Sequence, residues 1–168
     1  MDFKIRNEEP GDIEQVRAIL QAAFPTAAES KLVDALRANG KAMISLVAAA
    51  DHQVLGHILF SAVSTAPPSQ AKGIGLAPVA VRPDVQSRGI GSGLIREGLQ
   101  RCQWLGYDYC VVLGNPEYYQ RFGFEKASDF DLQNEYGVDE EFMVIRFANS
   151  NLAGGLVKYA PEFALFSV

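Results

Sequence analysis

At positions 86–92 the chain reads Gln86, Ser87, Arg88, Gly89, Ile90, Gly91 and Ser92, a run whose residue types suit an anion. Glycines without a Cβ let the backbone approach a ligand closely, and the N–H groups that open a helix have no partner within it. Such a turn therefore points donors at whatever sits above it, and phosphate oxygens match that geometry. Arg88 adds a fixed charge and a planar fork of donors. The chemistry on offer here is binding, not bond breaking.

An element on each side must hold the turn. Val79, Ala80 and Val81 read as a short buried strand, ended by Pro83, which lacks the N–H a central ladder needs. Beyond the turn, Ile90, Leu94, Ile95, Leu99, Cys102 and Leu105 recur at steps of three and four. That spacing predicts one face of a helix of about four turns, with Gly106 just past its end. Two familiar phosphate loops do not fit. A dinucleotide fingerprint needs glycine at its first, third and sixth positions, and counting from Gly89 finds Gly91 and then Leu94. Gly40-Lys41 is followed by Ala42, where a nucleoside-triphosphate loop needs the Ser or Thr that holds magnesium.

Taken from the start, Phe3 and Ile5 alternate with Lys4 and Arg6, a half-buried strand. Asp12 is placed to cap a helix carrying Ile13, Val16, Ile19 and Leu20, which Pro25 and Thr26 break. A second helix begins near Ala28, turns Leu32, Val33 and Leu36 inward, and closes at Asn39-Gly40. Apolar runs at 44–50 and 54–63 flank Asp51, His52 and Gln53 and read as a hairpin. The strand at 73–81 carries Pro78 in its middle, which implies a bulge or an unpaired edge and leaves the Val79 N–H free. Strands at 109–113, within 122–126, at 142–147 and at 156–159, with a helical turn at 117–121, complete an α/β mixed sheet with antiparallel and parallel parts. The 168 residues read as one domain, 1–168.

Net charge is −5, which argues against a nucleic-acid partner held by general electrostatics. The stretch 82–101 nevertheless holds Arg82, Arg88, Arg96 and Arg101 against Asp84 and Glu97. No apolar run is long enough to span a membrane and the start lacks a signal-peptide core, so no membrane partner and a cytoplasmic location are expected. Cys102 and Cys110 read as small buried hydrophobes, and His52 and His57 lie far from any cysteine pair, so no metal is expected.

The QSRGIG run after a V-x-V-x-P strand end resembles motif A of the Gcn5-related N-acetyltransferases (GNAT), and a second stretch, NPEYYQRFGFEK at 115–126, strengthens the likeness. Tyr119, Arg121, Gly123 and Phe124 stand at the family's places, although the run from Asn115 to the tyrosine is shorter here. LAPVAV, GNPEYYQRFGF and GLVKYAPEF together look most like the YhbS-like subgroup. The resemblance covers most of the chain and is specific in two places. It implies a mostly antiparallel central sheet flanked by helices, with a splay between two parallel strands. It further implies that Val79, Ala80 and Val81 lie along the pantetheine arm of acetyl-CoA. The residues Gln86, Ser87, Arg88, Gly89, Ile90, Gly91 and Ser92 then hold the pyrophosphate, and Asn115 and Tyr119 also approach the coenzyme.

The chemistry so implied needs an acid, a polarising donor and a base. Tyr119 stands at the family's acid position, and a phenol of pKa about 10 can protonate a leaving thiolate while staying protonated at pH 7. It also reads as a stacked core tyrosine. A Val79 N–H would serve as a one-donor oxyanion site, whose removal costs about 3 kcal/mol. An alkylamine of pKa about 10.4 costs about 4.6 kcal/mol to deprotonate at pH 7, so a carboxylate should help. Glu29, at the mouth of the second helix, is the candidate base; a solvated charge at a helix N-terminus is its other reading. His57 reads as a satisfied core histidine. Asp129, Asp131, Glu135, Asp139, Glu140 and Glu141 read either as a solvated loop or as a field that draws in a cationic amine.

The expected activity is transfer of an acetyl group from acetyl-CoA to a primary amine of a small molecule or exposed protein, by direct attack in a ternary complex. The partners are then acetyl-CoA and an unidentified amine, with the protein a monomer or homodimer. The alternatives are a non-catalytic acyl-CoA sensing module and a transferase using a longer acyl donor.

Overall fold

The computed structural model describes residues 2–147 and 152–168. In chain order the elements are β1 (Lys4–Asn7), α1 (Ile13–Ala23), α2 (Ala28–Ala38), β2 (Ile44–Ala50), β3 (Gln53–Ala66), β4 (Gly73–Val81) and α3 (Ile90–Trp104). They continue as β5 (Tyr109–Leu113), α4 (Pro116–Gln120), β6 (Glu125–Lys126), β7 (Leu132–Asn134), β8 (Phe142–Arg146), β9 (Gly155–Lys158) and α5 (Pro161–Leu165). Contacts gather these into two units, one of Met1–Ser61, Ala77–Gly98 and Pro161–Val168, the other of Ala62–Leu76 and Leu99–Ala160. The long elements β3, β4 and α3 contribute residues to both.

In the first unit the strand order is β1-β2-β3-β4, with β1, β2 and β3 antiparallel. The β2–β3 turn takes left-handed backbone at Asp51 and His52 (φ 51° and 64°), the two-residue geometry that suits the twist of the strands it joins. Successive β3 side chains face opposite ways. Phe60 meets α3 so closely that a Cβ on Gly98 would run into its ring. Ile90, Leu94 and Ile95, the predicted apolar face of α3, are buried. Helices α1 and α2 bury Val16, Ile19, Leu20, Leu32, Val33 and Leu36, and Arg17 bridges them by a bidentate pair to Asp34 at 3.1 Å. The tail at 161–165 forms α5, whose buried Glu162 accepts from Asn39 Nδ2 (2.7 Å) and Lys41 Nζ (2.9 Å) just past the end of α2.

In the second unit the order is β4-β5-β8-β6. β4 runs parallel to β5 through Gly73, Gly75 and Ile74 alone, and the pairing stops at Gly75 and Val111, before Pro78 is reached. β8 is antiparallel to β5 and β6, while β9 pairs with the end of β3 and runs parallel to β7. Cys102 and Cys110 are free and buried, as their apolar surroundings suggested.

Several details differ from expectation. Asp12 does not cap α1 with its side chain; it accepts instead from Arg6 Nη1 (2.7 Å) and Glu9 N (2.8 Å), closing a short 3-10 turn ahead of the helix. Leu105 is 55% exposed because α3 ends at Trp104, one residue before the apolar stripe would be completed. The strand expected within 122–126 shrinks to Glu125–Lys126, since Gly123 turns the chain at φ 99°. The acidic stretch is not all loop: Leu132–Asn134 forms β7, and buried Asn134 ties the following turn by accepting from Tyr136 N and Val138 N.

Candidate active site

β4 leaves Val79 and Val81 half-buried while Ala80 is buried, so the strand presents alternate residues to one side. Its end is anchored by Arg82 N donating to Leu55 O at 2.8 Å. The Arg82 side chain is clamped by Asp84 (2.6 Å) and Gln53 (3.0 Å), and Val85 is buried as a plug. The turn therefore begins from a fixed point. Gln86, Ser87, Arg88 and Gly89 are exposed, and the Gln86 carboxamide folds back to donate to Val81 O at 3.3 Å. Ser87 (φ 63°) and Gly89 (φ 83°) are left-handed, and such alternation in a short loop turns successive amides toward one side.

The first bond inside α3 is Gly93 N to Gly89 O at 3.0 Å, so the N–H groups of Ile90, Gly91 and Ser92 have no acceptor within the helix. No acidic residue stands in the first turn of α3 to neutralise its positive end. No heavy atom beyond its chain neighbours lies within 4 Å of the position a Gly89 Cβ would occupy, so the turn is open to a ligand. The arrangement fits a phosphate chain.

In the second unit, Asn115 caps α4, its Oδ1 accepting from Glu117 N at 2.9 Å. Pro116 follows at the first helical position, where its missing N–H costs nothing. One turn on, Tyr119 is 8% exposed, with its ring edge-on to Tyr118 (5.1 Å) and Phe124 (5.7 Å). A Cβ on Gly114 would collide with that ring, so glycine there makes room for the tyrosine. Burial, with small contributions from Tyr118 and Cys110, pushes the Tyr119 phenol up to about 12. It keeps its proton across the neutral range. Tyr118, in ring contact with Tyr119, also lies under the Arg121 guanidinium at 5.4 Å.

Glu29 stands in the first turn of α2, half-buried, and its Oε1 is shut off from solvent with no hydrogen-bond partner among the described residues. That is not a fully solvated helix charge. Of the acidic run, Asp139 is engaged by Lys126 at 3.1 Å on the surface, whereas Asp129 and Glu140 line a groove with Pro116, Gln120, Phe124 and Met143.

One cluster in the first unit was not anticipated. Glu8, just after β1, accepts from Arg37 Nε (2.7 Å) and Nη2 (2.8 Å) and lies 3.2 Å from His57 Nε2. Ser45 Oγ is 2.8 Å from the same imidazole nitrogen, while the buried Nδ1 has no partner among the described residues. Burial penalises the Glu8 carboxylate, but hydrogen bonds from His57 and Arg37 outweigh it and hold its pKa at about 2. Burial also lowers the pKa of His57, against the pull of Glu8. The signal in the sequence is two polar residues, Ser45 and His57, inside largely apolar stretches of β2 and β3.

The acetyltransferase (GNAT) domain family matches residues 4–127. The uncharacterized N-acetyltransferase YhbS of Escherichia coli K12 is 39% identical over 166 residues, 96% of this chain and 99% of that protein. The crystal structure of Escherichia coli YhbS in complex with CoA matches with a TM-score of 0.90 at 37% identity, over 96% of this chain and 92% of the other. A GNAT acetyltransferase from Brucella melitensis in complex with acetyl-CoA matches with a TM-score of 0.82 at 37% identity, over 96% and 98%. With its glycine turn, its α4 tyrosine and this extent of likeness, the chain belongs to the GNAT family of N-acetyltransferases.

Proposed function

We propose that the protein transfers an acetyl group from acetyl-CoA to a primary amine of a small molecule or an exposed protein amine, by direct attack in a ternary complex. The observation that carries this reading is the open turn at 86–92, with the N–H groups of Ile90, Gly91 and Ser92 left without an acceptor inside the helix, at a helix start free of acids. Two relatives at 37% identity were crystallised with CoA or acetyl-CoA, which supports the same ligand here. In this reading the chain acts as a single N-acetyltransferase domain.

The turn, with Arg88 and Ser92, receives the pyrophosphate. Val79, Ala80 and Val81 run along the pantetheine arm, and the Val79 N–H donates to the thioester oxygen as charge builds there. Asn115 keeps its acceptor for the α4 cap, so its contribution to the coenzyme is through the amide nitrogen. Tyr119 gives its proton to the departing thiolate; with a pKa of about 12 it is fully protonated before the reaction and becomes a donor only as the thiolate forms. Glu29, half-buried in the first turn of α2, meets the incoming amine with its carboxylate.

Thiol release from acetyl-CoA in the presence of a panel of amines (ethanolamine, 1,3-diaminopropane and a lysine-containing peptide) tests the reading. Amine-dependent release with the acetylated amine found by mass spectrometry is the expected result. Tight coenzyme binding without release on any amine would favour a sensing module, and preferential use of butyryl-CoA would favour a longer acyl donor.

A further inference from the structure

Three buried side-chain atoms lack a hydrogen-bond partner among the described residues, and all belong to the first unit: Glu29 Oε1, His57 Nδ1 and Ser61 Oγ. His57 is the one built like a base. Its ring is fully buried on β3, and Nε2 faces Glu8 Oε2 at 3.2 Å and Ser45 Oγ at 2.8 Å. Glu8 cannot swing away. Two Arg37 nitrogens hold its carboxylate, and its own N–H donates to Ser45 O at 2.9 Å.

An imidazole nitrogen facing an ionised carboxylate carries the proton, because the carboxylate can only accept. Nε2 is therefore the N–H, shared between Glu8 and Ser45, and Nδ1 is left as a bare lone pair. A buried acceptor without a donor is destabilising, and native proteins satisfy such atoms with internal water. Arg82 N bonds Leu55 O, and a Cβ on Gly56 would lie 3.1 Å from Ala80 O, so His57, next along β3, stands beside the stretch 79–81.

We infer that Glu8 and His57 form a carboxylate–imidazole relay whose Nδ1, through an internal water, takes the proton that the acceptor amine must lose. The inference rests on the transferase reading. The ammonium gives one proton through the water to Nδ1, from which it returns to solvent after turnover. The neutral nitrogen then bonds to the thioester carbon as the carbon–sulfur bond breaks. The thiolate takes a proton from Tyr119, and the second nitrogen proton restores the tyrosine. The charged groups around the ring are Glu8, which favours the imidazolium, and Arg37, which opposes it; Asp34 accepts from Arg37 Nη1 at 2.9 Å and offsets part of that opposition. His57 acts through water and is a positioning residue. Glu29 anchors the ammonium instead of taking its proton.

The test combines nitrogen NMR with kinetics. The chain has two histidines, His52 and His57, so 15N-imidazole spectra are assigned with a single His52→Gln variant. The expected spectrum shows His57 protonated at Nε2 and bare at Nδ1 at neutral pH. With the amine panel and thiol release, wild-type kcat should fall on acidification below the ordinary imidazole range. His57→Gln keeps an N–H toward Glu8 but replaces the basic nitrogen with a carboxamide that cannot take up a proton; it should lose that pH dependence, lower kcat by about 100-fold and leave the KM for acetyl-CoA unchanged. Glu29→Gln should raise the KM for the amine and keep the pH dependence. An Nδ1–H tautomer, or His57→Gln with wild-type kcat or an unaltered pH profile, would overturn the assignment. The tautomer is read on the wild-type protein, so the assignment stays exposed to failure even if the variant does not fold. Wild-type protein that binds acetyl-CoA but releases no thiol with any amine removes the transferase reading and this inference together; the other failures remove this inference alone.

Discussion

The turn at 86–92 and the Glu8–Arg37–His57–Ser45 cluster sit in the same unit and are built in opposite ways. The turn is exposed, made of consecutive residues, and owes its chemistry to backbone amides and to side chains that are missing. The cluster is buried, made of four residues from the end of β1, from α2, from β2 and from β3, and owes its chemistry to charges held out of water. The difference predicts which property each controls. Changes in the turn should alter ligand affinity and leave the free protein's stability alone, whereas changes in the cluster should alter stability before anything else.

The largest effect expected is from Glu8→Ala. Removing one partner of a buried pair typically costs about 3–5 kcal/mol, because Arg37 and the imidazole are left uncompensated. For a chain of this size that lowers Tm by about 10–15 °C, measurable by calorimetry. A loss as small as a surface ion pair's would break the contrast between the regions.

Acid should expose the same cluster in the native sequence. His57 has a lowered pKa, so below its ordinary value of 6.5 the unfolded chain takes up a proton that the folded chain refuses, and stability falls. Glu8 is held at about 2 against an ordinary 4.5; its contribution is complete above 4.5 and is lost as pH drops toward 2, about 3 kcal/mol in all. Chemical denaturation between pH 7 and pH 3 should show both steps, and Glu8→Gln should flatten the second. A stability profile flat to pH 3 would contradict the burial argument.

Tyr119→Phe comes next. Loss of a positioned acid should lower kcat by at least about 100-fold, or about 2.7 kcal/mol, with acetyl-CoA affinity by calorimetry retained. Full kcat would return Tyr119 to the role of a packed core ring. The smallest effect is at the turn: Arg88→Ala should weaken acetyl-CoA about tenfold, or about 1.4 kcal/mol, more at low salt than at high, while the free protein's Tm stays put. A lower Tm in the free variant would show that Arg88 has a structural task its exposure does not suggest.

The same contrast explains what could be read from the residues alone. The turn and its flanking elements were legible because strand, turn and helix succeed one another, and each leaves a periodic trace; β4 and the start of α3 fall where the spacing put them. Tyr119 could be singled out by family likeness, but its bed, with Gly114 beneath the ring and Phe124 at its edge, comes from packing that spacing does not encode. Glu29 stands out in the sequence only by its place at a helix start, and the burial of one carboxylate oxygen is a tertiary fact. From its place in a strand His57 reads as a satisfied core residue. Its Nε2 is satisfied and its Nδ1 is not, and the partners, Glu8 and Ser45, stand 49 and 12 positions away in the chain. Nothing local could have announced them.

The most direct test of the account is Tm with and without excess acetyl-CoA, with NADH and ATP as controls. At about one hundred times Kd, a ligand that binds only the folded chain adds roughly 2.7 kcal/mol, which raises Tm by about 5–10 °C here. That shift is expected for acetyl-CoA, a smaller one in Arg88→Ala, and none of comparable size for the controls. No shift at saturating acetyl-CoA would contradict the assignment of the turn, and with it the proposed transferase.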